Sequence, residues 1–533
     1  MSEPNTEPKP PEAQPEQKLP PQIPFIIGNE ACERFSFYGM RNVLTVFLID
    51  YLLRNEVPDL DARTSLAKAH FHDFVVGVYL FPLLGGWLAD RYWGKYRTIF
   101  WLSLVYCLGN FALAFFVNDK WGFYFGLFLI ALGSGGIKPC VSAMVGDQFT
   151  AQNKHLASRV FQAFYWSINF GSFFASAFIP KLLKAEWAGP RVAFGIPGAL
   201  MAIATLIFWL GRDRYVKSPP SGPNPHSFFQ VLKSRFTAGS WEAAAQRHPA
   251  TAIEGTRSVL KVLLVFVPIP FFWALFDQKA STWVVQAKSM NGHIATLMVD
   301  LYRMELGTWC VALVALFLFS DTLARWLGRE VTLVALAGVA ARIVWMLTSP
   351  QYTGWQQVPV VFEPAQMQLI NPALVMILIP LMGVVVYPAL ARLGLPMTPL
   401  RRMTIGMFVA AGSWVAAGLV QQPIDQGQQL NIMWQLGPYV LLTLSEVMVS
   451  TSGLEFAYSQ APVEMKGTLM SFWLLTTAIG NLAVARLSTL LTIKGAPLFF
   501  FYAGAAVLAG IALAAITARY VMVDRYLPAA KAT

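Results

Sequence analysis

Charge is scarce in this chain. Of 533 residues only 13% are Asp, Glu, Lys or Arg, while 56% are hydrophobic. Soluble domains carry about 25% charged residues, so this composition, with a mean hydropathy of +0.50, indicates a polytopic membrane protein. Cysteine is scarce too. Cys32, Cys107, Cys140 and Cys310 lie in or beside apolar stretches with no CxxC pair, which excludes a disulfide framework and a thiolate metal site. Residues 1–24 are rich in Pro, Glu and Gln without an apolar core, so they are expected to be a disordered tail and not a signal peptide. HExxH, GxSxG and phosphate-loop patterns are absent. No enzyme activity, cofactor or metal is therefore expected. The net charge of +11 includes no basic run interleaved with exposed aromatics, so nucleic acid is not an expected partner.

What is abundant is long apolar runs. They read as spans at 30–53, 73–91, 98–117, 121–145, 159–182, 191–211, 259–287, 304–322, 330–348, 368–392, 402–420, 434–458, 467–490 and 497–522, about fourteen transmembrane helices. An even number puts both termini on one side. Lys and Arg choose the side. With the N-terminus inside, the inner loops hold Arg91, Lys95 and Arg97, then Lys154 and Arg159, then the six cations between Arg212 and Arg247. Further on they hold Arg325, Arg329, Arg392, Arg401, Arg402 and Lys466, and the tail holds Arg519, Arg525 and Lys531. The outer loops are leaner, and 349–365 and 421–433 have no Lys or Arg, although Lys120, Lys181, Lys184 and Lys494 are exceptions. Both termini are thus expected in the cytoplasm. The expected organisation is a tail at 1–24, a six-helix bundle at 25–211, a cytoplasmic linker at 212–258, a second six-helix bundle at 259–522 and a tail at 523–533. An extra hairpin at 304–348 interrupts the second bundle, and its Arg342 is expected to snorkel or to pair with a neighbouring helix. A short amphipathic helix is expected near Ser227–Gln246 in the linker.

Some spans carry charge that an apolar residue would replace at no cost. Glu30, Glu33, Arg34 and Arg41 fall near one face of the first helix, and Glu30 and Arg41 are roughly 16 Å apart at helical rise. Ionisable groups at membrane depth face a wet cavity or each other, so these four read as a charged track or as ion pairs that lock neighbouring helices. Lys138 sits among glycines in LGSGGIKPC, Asn169 in FYWSINFGS, Asp277 in FFWALFDQK, Asn371 before a proline, Glu446 and Glu455 in SEVMVSTSGLEF, and His72 at the start of the second span. The first half thus offers Arg41 and Lys138, and the second offers Asp277 and Glu446. If these converge, one wall is positive and the other negative, which suits a zwitterion with a free amine and a free carboxylate, or a short peptide. Tyr38, Tyr79, Trp273 and Trp473 are candidates to line pockets for side chains, although each alone reads equally as packing or lipid contact.

The segment GGWLADRYWGKYRT resembles the loop between the second and third helices of the major facilitator superfamily, with Gly86, Asp90, Arg91, Gly94, Lys95 and Arg97 matching. Glycine there allows close helix approach, and Asp90 with the basic residues reads as an inner gate. ExxERF stands as Glu30–Ala31–Cys32–Glu33–Arg34–Phe35 and continues as SFYGMR; a second signature runs from Phe164 to Gly171 as FYWSINFG. With FWALFDQ around Asp277 and SEVMVSTSGLEFAYSQAP around Glu446, the chain from about 25 to 520 resembles the proton-coupled oligopeptide transporter (POT or PTR) family. The motifs look especially like animal members. The large extracellular domain of those members is absent at 421–433, which points to a bacterial inner-membrane protein.

The resemblance implies an all-α major facilitator fold and symport of di- and tripeptides with protons across the bilayer, without an obligate protein partner. Arg41 and Lys138 would hold the peptide carboxylate, and Glu446 the amine, with Asn169 and Asn371 completing its hydrogen bonds. Glu30, Glu33 and Arg34 would couple proton movement to that site, and Asp277 would carry a proton and close the outer gate. His72 matches the coupling histidine of animal members; pairing with Asp277 and a plain surface position are both open, and His70 is discounted because it precedes the span. Gly383 stands where animal members have Asp. Lys279 stands where Gln is common, facing either the cavity or lipid headgroups. The rival readings are a symporter of another anion or metabolite such as nitrate, and a non-transporting peptide sensor.

Overall fold

The computed structural model describes residues 19–150, 153, 156–220, 222–299, 301–318, 320, 324, 328–348, 356–460 and 465–522. Of the expected tails, residues 1–18 and 523–533 lie outside the described residues, whereas the first helix already begins at Ile23, within the tail expected at 1–24. The first six helices are α1 (Ile23–Phe47), α2 (Leu60–Leu88), α3 (Gly94–Phe115), α4 (Lys120–Asp147), α5 (Ala157–Lys184) and α6 (Gly189–Leu210). The linker carries α7 (Phe228–Ala238) and α8 (Trp241–Ala245). Then follow α9 (Ala250–Phe266), α10 (Ile269–Asp277), α11 (Thr282–Lys288), β1 (His293–Val299), α12 (Leu301–Leu318), α13 (Arg329–Thr348) and β2 (Gln356–Val361). The chain closes with α14 (Ile370–Pro380), α15 (Tyr387–Arg392), α16 (Pro399–Asp425), α17 (Leu436–Glu446), α18 (Ser452–Gln460), α19 (Lys466–Leu490) and α20 (Ala496–Ala518).

This is an all-α membrane fold. Among the described residues nine helices are long and apolar enough to cross a membrane, or ten if one bent pair counts as a span. One of the nine runs from Leu60 to Phe115, but Gly94 at φ +72° turns the chain between α2 and α3. That conformation costs glycine nothing and an L side chain about a kcal/mol or more. The highly charged α1 and the polar α5 fall outside that count. Starts are marked where the sequence supplies caps. Asp59 accepts from the Ala62 amide at 2.7 Å and Asp119 from the Gly122 amide at 2.8 Å, each satisfying a donor that the first turn leaves unpaired.

Small residues let helix backbones come close. A Cβ on Gly85 of α2 would lie 2.5 Å from the Gly135 carbonyl oxygen of α4. In lipid there is little hydrophobic drive between helices, so such close approach supplies the packing energy. Gly86, the glycine singled out in the loop motif, has open space around its Cβ position. The close approach expected of Gly86 therefore belongs to Gly85, because at about 100° per residue the adjacent position points elsewhere.

Two segments differ from their expected form. The run 259–287 breaks, with Ala250–Phe266 and Ile269–Lys288 bent by 49°. Pro268 and Pro270 lack the N–H groups that the carbonyls of Leu264 and Phe266 would accept from. The linker helix is divided at Gly239, which takes φ +77°, and Ser240 restarts it by accepting from the Ala243 amide at 3.1 Å.

By contacts, residues 292–362 with 431–433 form a separate compact unit and the rest of the chain forms the other. The small unit contains α12 and α13 and a ladder the sequence analysis missed, β1 antiparallel to β2 with His293 opposite Val361. Within it Arg342 donates to Glu305 at 2.7 Å and lies over Trp345, so it pairs with the neighbouring helix.

Candidate functional site: a buried charge lattice between two six-helix halves

The lattice starts on α1. Glu30, Glu33, Arg34 and Arg41 are all buried, and the helical spacing aligns them. Arg34 Nε lies 2.7 Å from both Glu30 Oε1 and Glu33 Oε2. One Nε–H serves one acceptor. It is donated to Glu30, and both Glu33 oxygens are left without a hydrogen-bond donor. Glu33 is thus held by charge alone, in a place where desolvation makes an unsatisfied carboxylate costly.

Towards the end of the bundle opposite the linker, Arg41 crosses to the second half. Its Nη2 donates to Asp277 Oδ1 at 2.5 Å, with both side chains about 5% exposed or less. Asp277 ends α10, where a tight turn at Gln278–Ala280 precedes α11. Asn481 of α19 donates to the other Asp277 oxygen at 2.7 Å. The Asn481 Oδ1 in turn meets His72 Nδ1 at 2.7 Å, and His72 Nε2 meets Ser281 Oγ at 2.8 Å. His72 is fully buried, so it is not the surface residue that its place near a span start allowed. It reaches Asp277 through Asn481 and not directly. His70 lies against the Tyr124 ring instead, tilted by 42° at 4.9 Å.

A second chain of bonds lies within the second half. Lys279 Nζ donates to Asn371 Oδ1 at 2.8 Å, and Asn371 Nδ2 donates to Glu446 Oε2 at 2.7 Å and to Thr443 Oγ1 at 3.1 Å. Lys279 is buried and faces this interior, not lipid headgroups. Asn371 and Glu446 are half-buried, and the helix widens over Val447–Thr451 immediately after Glu446. Asn169 bonds the Tyr165 carbonyl of its own helix at 3.0 Å. A helical Asn satisfies its amide on its own i−4 carbonyl in this way without crossing a gap.

Lys138 on α4 takes a different environment. Its ammonium lies over the rings of Tyr79 at 4.2 Å and Phe37 at 4.5 Å, and among the described residues it has no ion-pair partner. Tyr38 packs edge-on to Phe37 at 5.4 Å. Trp273 and Trp473 lie 6.1 Å apart, edge to face. The Trp473 indole rests on Gly453, where a Cβ would fall 2.2 Å from the ring. In formal charge the lattice balances, with Glu30, Glu33, Asp277 and Glu446 against Arg34, Arg41, Lys138 and Lys279. A proton added to any carboxylate leaves the lattice with one uncompensated positive charge, which is the physical requirement for proton binding to change the site.

The loop-motif residues lie at the linker end. Lys95 pairs with Asp147 of α4 at 2.6 Å, inside the first half. The Asp90 carbonyl accepts from the Gly222 amide at 3.2 Å, Arg91 lies against Tyr92, and Arg97 is exposed. Gly383 is exposed in a widened turn with nothing near its Cβ position. Asn481, Ser281 and Thr443 were missed from sequence. The signal for Asn481 was present, since a lone Asn in AIGNLAVAR meets the criterion that singled out Asn169 and Asn371.

A sequence profile described as the POT family (PTR2) matches residues 96–249, 233–318 and 358–496. Solute carrier family 15 member 1 of Oryctolagus cuniculus is 32% identical over 444 residues, covering 76% of this chain and 53% of that protein. The chain thus spans about half the length of the curated relatives it matches. An auto-inhibited POT family peptide transporter has a similar crystal structure, with 42% identity and a TM-score of 0.79, covering 96% of this chain and 99% of that one. A POT family transporter solved in meso is also 42% identical, with a TM-score of 0.76, covering 94% and 98%.

Proposed function

The chain belongs to the POT family, and from that premise we propose that it imports di- and tripeptides with protons across a bacterial cytoplasmic membrane by alternating access, its termini in the cytoplasm. It is not an enzyme. The observation that carries this reading is the pairing of Arg41 with Asp277 at 2.5 Å across the two halves, tied through Asn481 to His72. The same guanidinium closes the site and, once released, is a planar fork suited to a carboxylate.

In the proposed cycle a proton reaches His72 and Asp277 from outside. Neutralised Asp277 releases Arg41, which with Lys138 takes the peptide carboxylate. The peptide amine displaces Lys279 from the Asn371–Glu446 pair. Tyr38, Tyr79, Trp273 and Trp473 border the side-chain space. Glu33, which lacks a hydrogen-bond donor, accepts the proton on its way inward, with Glu30 and Arg34 holding the alternative pairings. The driving force is about 2.3 kcal/mol per proton per 100 mV and about 1.4 per pH unit.

The test is labelled dialanine uptake into proteoliposomes with an inward proton gradient and potential. Uphill uptake that collapses with an uncoupler is expected. Binding without accumulation would favour a sensor, and nitrate accumulation without competition by dipeptides would favour an anion symporter.

A further inference from the structure

Between α9 and α20, near the C-terminal end of α20, lies a cavity of about 460 Å³ that the charge lattice does not touch. Lys261 and Leu264, one turn apart on α9, line one side. Ile516, in the last turn of α20, and Arg519, which caps that helix, line the other with Val521. The spacing i, i+3 puts each cation on the same face as an apolar neighbour. Tyr520 forms a wall, its ring set edge-on to Phe456 at 5.2 Å and its hydroxyl donating to Gln460 at 3.3 Å. The result is an apolar trough with a cation on either bank.

Lys261 and Arg519 are both exposed, and among the described residues neither has an ion-pair partner. By contrast Arg402 is matched by Glu455 at 3.0 Å and Lys494 by Asp61 at 2.6 Å. Two unmatched cations flanking an apolar trough at the end of a membrane-spanning helix have the chemistry of a phospholipid site, because basic pockets between spans attract anionic headgroups.

We propose that this cleft binds an anionic phospholipid, its phosphate bridged by Lys261 and Arg519 and the upper part of one acyl chain lying against Leu264, Ile516 and Val521. The bound lipid clasps α9 to α20. Since α9 leads through the Pro268–Pro270 bend into the helix that ends at Asp277, the clasp acts on the segment that carries the outer pairing. The inference rests on the membrane-spanning fold and not on the substrate assignment.

The experiment is native mass spectrometry of the full chain in detergent, titrated separately with phosphatidylglycerol, phosphatidylcholine and inorganic phosphate. Phosphatidylglycerol should be retained at least about tenfold over phosphatidylcholine, given two cations at roughly fivefold each. The double variant Lys261→Gln/Arg519→Gln should bring the two lipids level, with its unfolding temperature in lipid-free detergent unchanged. Leu264→Trp, which fills the trough and keeps both cations, should also lower phosphatidylglycerol retention. Equal retention of the two lipids by the unaltered protein, or a preference that survives the double variant, overturns the proposal. Inorganic phosphate that binds alone and displaces the lipid assigns the cations to a free anion and overturns the lipid site.

Discussion

His72 and Asp277 do not touch; Asn481 stands between them, accepting from or donating to each at 2.7 Å. A carboxamide carries no charge and does not titrate, so it transmits the state of one group to the other only by turning or by changing which of its atoms is paired. Asn481→Leu removes the link and leaves both titrating groups in place. We expect proton-driven uphill dipeptide uptake to fall at least about tenfold, the scale of a lost proton-transfer or orienting contact. Peptide exchange between equal pools on both sides of the membrane should change less than about threefold. Equal loss in both assays would mean that Asn481 is only packing.

The Arg41–Asp277 pair yields a stability prediction. Removing one member of a buried pair leaves an uncompensated charge and costs about 3–5 kcal/mol, whereas removing both is much milder. Asp277→Ala should therefore lower the unfolding temperature in detergent clearly, and Arg41→Ala/Asp277→Ala should recover most of it. Transport should not recover in the double variant, because Arg41 also serves the peptide carboxylate in the proposed cycle.

Lys279 occupies the position that a peptide amine would take beside Asn371 and Glu446. Lys279→Gln removes this internal competitor. The KM for dialanine is expected to fall by about three- to tenfold, one charge-assisted hydrogen bond being worth about 1.5–3 kcal/mol before the offset of losing a counter-ion. Glu446→Gln should raise KM by at least about tenfold on the same reasoning. A rise in KM with Lys279→Gln would show that the ammonium supports the site and does not compete for it.

Gly85 and Gly86 are adjacent and should behave differently. Gly85→Ala forces the α2 and α4 backbones apart, and overpacking of this kind costs about 1–3 kcal/mol. Gly86→Ala points into open space and should fall within about 0.5 kcal/mol of the unaltered protein. Thermal unfolding of the two single variants checks this.

The linker carries a pH-dependent clasp. His226 and His248 meet through their Nδ1 atoms at 3.0 Å, and His248 Nε2 meets Ser234 Oγ at 2.7 Å. Desolvation, then His226 and Arg247, lower the His248 pKa from its ordinary value. A depressed folded-state pKa means that the clasp contributes fully above the ordinary histidine range and is lost as pH falls through the folded value. Cleavage by a protease at sites within 222–249 should thus be several-fold faster at pH 5.5 than at pH 8, and His248→Gln should flatten the difference.

Much of the site was legible because charge at membrane depth is expensive. Glu30, Glu33, Arg34, Arg41, Lys138, Asp277 and Glu446 stood out wherever an apolar residue would have cost nothing, and the structure buries them or leaves them half-buried. The break at Pro268 and Pro270 was not read, although neither residue can donate to the preceding turn, because the apolar run continues through it. What was not legible was pairing. His72 and Asp277 were both singled out, but not the Asn481 that links them; the ladder of β1 and β2 lay hidden in two short stretches, HIATLMV and QQVPVV.

The sequence by itself determined the class of the molecule, the course of its helices and the identity of its costly residues, because hydropathy and helical period act over a few turns. Tertiary structure alone decided the partners. Residues 236 positions apart, such as Arg41 and Asp277, are brought together by the packing of two bundles, and no local rule carries that distance. It also decided which of two neighbouring glycines meets another backbone and whether Lys279 turns inward, since both depend on where a neighbouring helix lies.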